Sequence, residues 1–197
     1  PLANLRNTPF IIQIGTADME GVPRYTMTKR YVDAVLKLRA ADPGGFPIEY
    51  REHPGKGHQI DDSDTPPWLA RHVRNPVSAK VVWEMDSLSN ARRRKTGRAA
   101  RFAWLRAEDP VDDQRVTALC EGNTVRVEAE GLERLTLLLD DRLLNLDKPV
   151  RVLAGSREIF QGLVPRTVGS LVDSLLERGD PELAFSATLP LDLSPQE

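Results

Sequence analysis

The chain has 197 residues, 40% of them hydrophobic and 28% charged, with a formal net charge of -2. That composition is ordinary for a folded chain of one large or two small domains and excludes the compositional class of disordered proteins. So small a charge supplies no long-range field suited to nucleic acid or an anionic membrane, and no apolar stretch approaches the roughly 20 residues of a membrane-spanning helix.

Residues 10–14, Phe-Ile-Ile-Gln-Ile, form a short apolar run behind Pro9 and ahead of Gly15. This is the pattern of a strand buried on both faces of a parallel sheet. Met27, Tyr31, Ala34, Val35 and Leu38 then recur at helical spacing, with Lys29, Arg30, Asp33 and Lys37 between them, which predicts an amphipathic helix over 24–40. Asp42-Pro43-Gly44-Gly45 stops it. Residues 48–53 read as a second parallel strand near a sheet edge, reached by a crossover connection. A short helix over 68–73 follows, capped by Asp64 or Thr65, with Pro66 or Pro67 in its first turn and Asn75-Pro76 at its end. Strand, helix, strand and closing helix make an α/β unit over 1–76.

From residue 77 the character changes. Strand-like runs at 81–83, 102–105, 116–120, 124–129, 135–139, 150–153 and 159–164 are separated mostly by Gly, Asn, Asp or Pro, which predicts a β-sandwich-like domain over 77–197. One helix interrupts it: Val168, Leu171, Val172, Leu175 and Leu176 mark an apolar stripe, with Thr167 as cap and Gly179 as stop. Strand character returns over 183–189. Trp83, Phe102 and Trp104 read as core residues, and the single cysteine, Cys120, as a small buried hydrophobe with no partner for an internal disulfide. The fold class is therefore α/β followed by mainly β.

The chemistry rests on Asp18 and His58. Gly15-Thr16-Ala17-Asp18 follows the first strand and Gly55-Lys56-Gly57-His58 the second, so a crossover places an acid and a histidine at the carboxyl ends of neighbouring strands, where open α/β sheets build their sites. Alone, Asp18 reads as a turn residue, His58 as a loop histidine and the glycines as turn formers. Together, their order and strand context are two thirds of a hydrolase triad. Histidine, with an ordinary pKa of about 6.5, can take a serine proton near neutral pH, and a buried carboxylate fixes its tautomer and stabilises the imidazolium. In the order Ser, Asp, His the nucleophile belongs upstream on a Gly-x-Ser-x-Gly turn, and the chain starts at Pro1 with no room for it.

Asn4-Leu5-Arg6-Asn7-Thr8-Pro9-Phe10, the Gly15–Asp18 and Tyr50–His58 segments, Trp68-Leu69 and Arg74-Asn75-Pro76 together resemble the end of the catalytic domain of prolyl-oligopeptidase-like α/β-hydrolases. The resemblance implies the C-terminal fragment of an α/β-hydrolase domain, a βαβ unit plus closing helix, followed by a β-rich appendage of the kind that bacterial members carry. It implies Asp18 as triad acid, His58 as base and peptide or ester bonds as substrate. The chain by itself is then expected to be inactive, its partner being the missing N-terminal half of the hydrolase domain, from the same gene or a companion chain. One departure concerns the acid loop: Val22-Pro23 stands four residues after Asp18, where the family commonly has three, and Glu20 is the substitute carboxylate on that loop.

No cofactor or metal is implied. His53 and His72 lack metal-ligand spacing with Cys or acidic partners, and Asp61, Asp62 and Asp64 lack the central Gly and terminal Glu of a calcium loop. Arg92-Arg93-Arg94-Lys95, Arg98 and Arg101 make one basic cluster, read as a solvated loop rather than a nucleic-acid site. The start gives no compartment. A βαβ fragment leaves a sheet edge to be covered by self-association, by the β-domain or by a companion chain. Two function classes fit: the catalytic end of a serine hydrolase, acting as peptidase or esterase, and a non-catalytic β-sandwich module for binding or assembly.

Overall fold

The structure, a computed structural model, describes residues 1–19, 21–86, 100–108 and 110–194. It is mixed α/β and mainly β, and it divides into two compact units, Leu2–Asn75 and Pro76–Glu197.

In the first unit, β1 (Phe10–Gly15) and β2 (Ile48–His53) pair in parallel, from Phe10 opposite Ile48 to Gly15 opposite His53. Side chains alternate across a strand, so the two faces are built from different chemistry. Phe10, Ile12, Ile48 and Tyr50 pack with Phe46 against α1 (Arg24–Ala41), which contributes the fully buried Val32 and Val35 and the half-buried Leu38. Each fully buried valine contributes about 1.5–3 kcal/mol of transfer free energy. The helix spans the expected stretch, but Met27 and Tyr31 are exposed and its buried face turns on Val32 instead.

The opposite face carries Gln13, Glu49 and Arg51 and meets α2 (Thr65–Leu69). Gln13 Nε2 donates to Asp64 Oδ1 (2.9 Å) and Thr65 Oγ1 (2.8 Å), while its carbonyl oxygen lies 2.8 Å from His53 Nε2. Buried Trp68 donates its indole N–H to Glu49, whose carboxyl Arg51 holds below its ordinary range. Arg51 also pairs with Asp64. The helix lies earlier than the expected 68–73, because these sheet contacts draw Asp64 and Trp68 in while Val73 stays in solvent. Asp64 precedes it without a side-chain cap bond, its carboxylate being engaged by the sheet.

In the second unit β3 (Lys80–Glu84), β6 (Arg115–Glu121), β7 (Thr124–Glu130), β9 (Val150–Ala154) and β10 (Arg157–Gly162) form one sheet in the order β10-β9-β7-β6-β3. The pair β7–β9 is parallel and the rest are antiparallel. A second, antiparallel sheet runs β11-β8-β5-β4 from β4 (Ala100–Phe102), β5 (Leu105–Ala107), β8 (Arg134–Leu139) and β11 (Ala187–Asp192). Val116, Ala118, Val125, Val127, Val150 and Val152 of the first share one core with Leu105, Leu135, Leu137, Leu139 and Leu189 of the second. Trp83 and Phe102 stack at 6.0 Å, and Trp104, fully buried, donates to Ser78 O at 2.8 Å. Cys120 is buried there, which raises its thiol to about 11.

Residues 102–105, expected as one strand, are instead the tip of a hairpin: Ala103 takes a left-handed φ of 50°, and the chain turns from β4 into β5. A run of apolar side chains carries no sign of that reversal when no Gly or Asn marks it. Arg92 to Lys95 and Arg98 lie outside the described residues.

The final helix, α3 (Val168–Arg178), starts at Thr167, whose Oγ1 accepts from Ser170 N (3.0 Å), and ends at left-handed Gly179, as its end signals predict. Its orientation is the opposite of the usual one. Val168, Leu171, Val172, Leu175 and Leu176 are all exposed, and its one buried residue is Ser174.

Candidate functional site

Two loops at the carboxyl ends of β1 and β2 build the site. They are stitched together by backbone and side-chain bonds: Thr16 N donates to His53 O (3.1 Å), Ala17 N to Lys56 O (2.8 Å) and Gly55 N to Thr16 Oγ1 (2.8 Å). Gly15 makes the approach feasible, since a Cβ on it would lie 2.2 Å from both the Lys56 and Gly57 carbonyl oxygens. A side chain on Gly15 would therefore force the histidine loop off the acid loop. Gly15 is required by close approach, a different role from the turn former its sequence context suggests.

Three residues beyond Gly15, Asp18 is held by its own backbone: its N–H donates to Gly15 O (3.1 Å) and its carbonyl accepts from Tyr25 N (3.1 Å) in the first turn of α1. Its side chain is only 4% exposed, and Oδ2 lies 3.2 Å from His58 Nδ1. His58 is 75% exposed. Its Nε2 has no hydrogen-bond partner among the described residues, so one ring nitrogen is left open while the other faces a buried carboxylate. The second carboxylate oxygen, Oδ1, accepts from the Arg24 guanidinium at 3.3 Å. Beside the pair lies an open recess of about 490 Å³, lined by apolar Ile14, Val22, Met27 and Ile60 together with Arg24 and Thr28.

The structure thus brings Asp18 and His58 together. Glu20, the substitute carboxylate, lies outside the described residues. His53 sits elsewhere, bonded to Gln13, and His72 stacks on Trp68 with ring centres 4.2 Å apart. No group of three His, Cys, Asp or Glu side chains suited to a metal ion occurs among the described residues, and no described helix is long and apolar enough to cross a membrane.

Sequence reasoning passed over Arg24 and Thr16. The signal for Arg24 was a cation at the first position of a helix, where the macrodipole disfavours it. Thr16 carries no comparable signal, since a hydroxyl in a loop is common. No family model matches this chain, and neither the curated proteins nor the solved structures searched contain a match.

Proposed function

We propose that Leu2–Asn75 is the acid- and base-bearing end of a serine hydrolase catalytic domain of the prolyl-oligopeptidase-like kind, and that Pro76–Glu197 is its accessory β-domain. The observation that carries this reading is the 3.2 Å contact between Asp18 Oδ2 and His58 Nδ1, formed by loops from two adjacent parallel strands with the acid buried and the outer imidazole nitrogen open. In the reaction, Nε2 of His58 takes the proton of a serine hydroxyl as its oxygen attacks the ester or amide carbonyl. The same nitrogen then delivers that proton to the leaving group, and ionised Asp18 stabilises the imidazolium between these steps.

The nucleophile comes from outside this sequence, which contains no Gly-x-Ser-x-Gly. Among the described residues β1 pairs with β2 alone, so an edge is open to strands that would carry it. Fluorophosphonate labelling tests the proposal. The chain alone is expected to remain unlabelled, and addition of the polypeptide encoded immediately upstream, fused or as a companion, is expected to yield a labelled serine that His58→Ala abolishes. Stoichiometric labelling of the chain alone, labelling indifferent to His58→Ala, or an upstream reading frame without the nucleophile turn would overturn it.

A second reading, a binding or assembly module, is favoured by one observation: the exposed apolar stripe of α3, with Val168 at 78% and Leu176 at 77% exposure. Contiguous apolar surface of this kind marks interaction sites in soluble proteins. It concerns the second unit and is compatible with either fate of the first.

A further inference from the structure

A buried carboxylate needs a compensating charge, and a neutral imidazole does not supply one. Asp18 is nearly sealed from water, and its two oxygens are divided between two partners, Oδ2 facing His58 and Oδ1 facing Arg24. Arg24 is the cationic partner. Its presence there has no helical explanation. It stands at the start of α1, where the dipole is unfavourable to a cation, and no acidic residue occupies that turn to offset it.

Its placement is fixed by the backbone. The Asp18 carbonyl accepts from Tyr25 N at 3.1 Å and Val22 O from Arg24 N at 2.7 Å, so the helix start and the acid move as one piece. The Arg24 side chain is 44% exposed and lies on the wall of the recess beside His58. A cation at this point competes with the imidazolium for the same carboxylate, so its contribution to proton transfer cannot be added field strength. What remains is geometry: with Oδ1 held, the side chain is confined to the rotamer that aims Oδ2 at the histidine.

We propose that Arg24 is a positioning residue for the Asp18–His58 pair, holding the Asp18 carboxylate oriented so that His58 carries its proton on Nδ1 and keeps Nε2 free to accept one. This rests on the reading of His58 as the base. The tautomer is the quantity that a merely structural role would leave alone.

Nitrogen-15 NMR of the imidazole in the full chain reads it directly. Wild type is expected to show His58 predominantly Nδ1-protonated, with a slowly exchanging Nδ1–H resonance. Arg24→Gln is expected to lose that resonance and shift the population toward the Nε2-protonated form, with the backbone spectrum otherwise unchanged, and Arg24→Lys is expected to fall between the two. An Arg24→Gln spectrum with the wild-type tautomer and exchange rate overturns the proposal. The reciprocal measurement does not depend on an Arg24 variant folding: in Asp18→Asn the Arg24 guanidinium resonances should lose their hindered rotation, and identical resonances in the two proteins would equally overturn it. Should wild type itself lack the Nδ1-protonated form, the acid–base reading fails with it, whereas an Arg24-insensitive tautomer removes this inference alone.

Discussion

Helices α1 and α3 solve the same problem in opposite ways. α1 has a weakly segregated surface, yet it buries Val32 and Val35 and leaves its charges in water. α3 has much the cleaner apolar stripe and turns it outward, burying Ser174. The difference lies in what each is offered. The face of β1 and β2 under α1 presents Phe10, Ile12 and Ile48, a surface that only apolar groups can cover without cost. The strands near α3 present Arg101, Arg106 and Thr188 on the side away from the core. Polar groups on α3 answer them: Ser170 reaches Thr188 (3.2 Å), Glu177 takes both Arg101 (3.2 Å) and Arg106 (2.5 Å), and Ser174 accepts from Phe185 N (2.8 Å). Arg101 also donates to Ser174 O (3.0 Å) and to Leu183 O, and its guanidinium lies over the Phe185 ring at 5.1 Å. An apolar period establishes that a helix has two faces; the neighbouring surface decides which one is buried.

The most damaging test of this contrast is a charge on the α1 side. Val32→Asp would place a carboxylate at a fully buried position whose neighbours are Phe46, Ile48 and Val35. Burying an unpaired charge there is expected to cost about 4 kcal/mol or more, enough to unfold a unit whose core cluster is this small. Denaturant titration followed by near-ultraviolet signals of Trp68 should show the first unit's transition lost or moved far down. A midpoint within error of wild type would mean that α1 is not held by its apolar face.

These two helices also mark what the sequence could convey. The extent of α1, the caps of α3, both parallel strands and most β-runs are written locally, in periodicity and end signals such as Thr167 and Gly179. The approach of Asp18 to His58 was legible because strand ends in a parallel unit converge and the intervening loops are short. What was not legible depends on partners distant in the chain. The orientation of α3 is set by Arg101, 73 residues from Ser174 in sequence, and the role of Gly15 by carbonyls at Lys56 and Gly57. The reversal at Ala103 depends on a left-handed residue that is not glycine, which local turn chemistry does not announce.

A smaller loss is expected from the arginine that fastens α3. Arg101 has no exposed side-chain surface, and burial lowers its pKa to about 10 despite the favourable pairing with Glu177. Arg101→Met keeps the bulk and removes the donors, leaving Ser174 O and Leu183 O without them. A cost of about 3 kcal/mol to the second unit is expected, at the lower end for breaking a buried ionic contact because Arg106 still pairs with Glu177. The sign of its pH dependence follows. Since burial lowers the folded value below the ordinary guanidinium range, the folded state binds fewer protons across that interval, and wild-type stability should gain on the Met variant as pH rises from about 10 upward. Parallel unfolding curves of the two proteins over that range would break the link between the buried guanidinium and the attachment of the helix.

The smallest effect should come from the residue that looks most like core in the sequence. Leu176 closes the stripe and is 77% exposed, so Leu176→Ser removes little surface from any packed neighbour and adds a hydroxyl that water satisfies. A surface change of this kind shifts stability by no more than about 0.5 kcal/mol. The matched substitution Ser174→Leu should do the reverse: it would force a bulky side chain into a fully buried site and remove the oxygen that accepts from Phe185 N, at a cost of about 2–3 kcal/mol from overpacking and the stranded donor together. Chemical denaturation of the two variants side by side decides the orientation of the helix. If Leu176→Ser proved the more destabilising, α3 would be packed by its stripe after all, and the arginine-bonded polar face would belong to solvent.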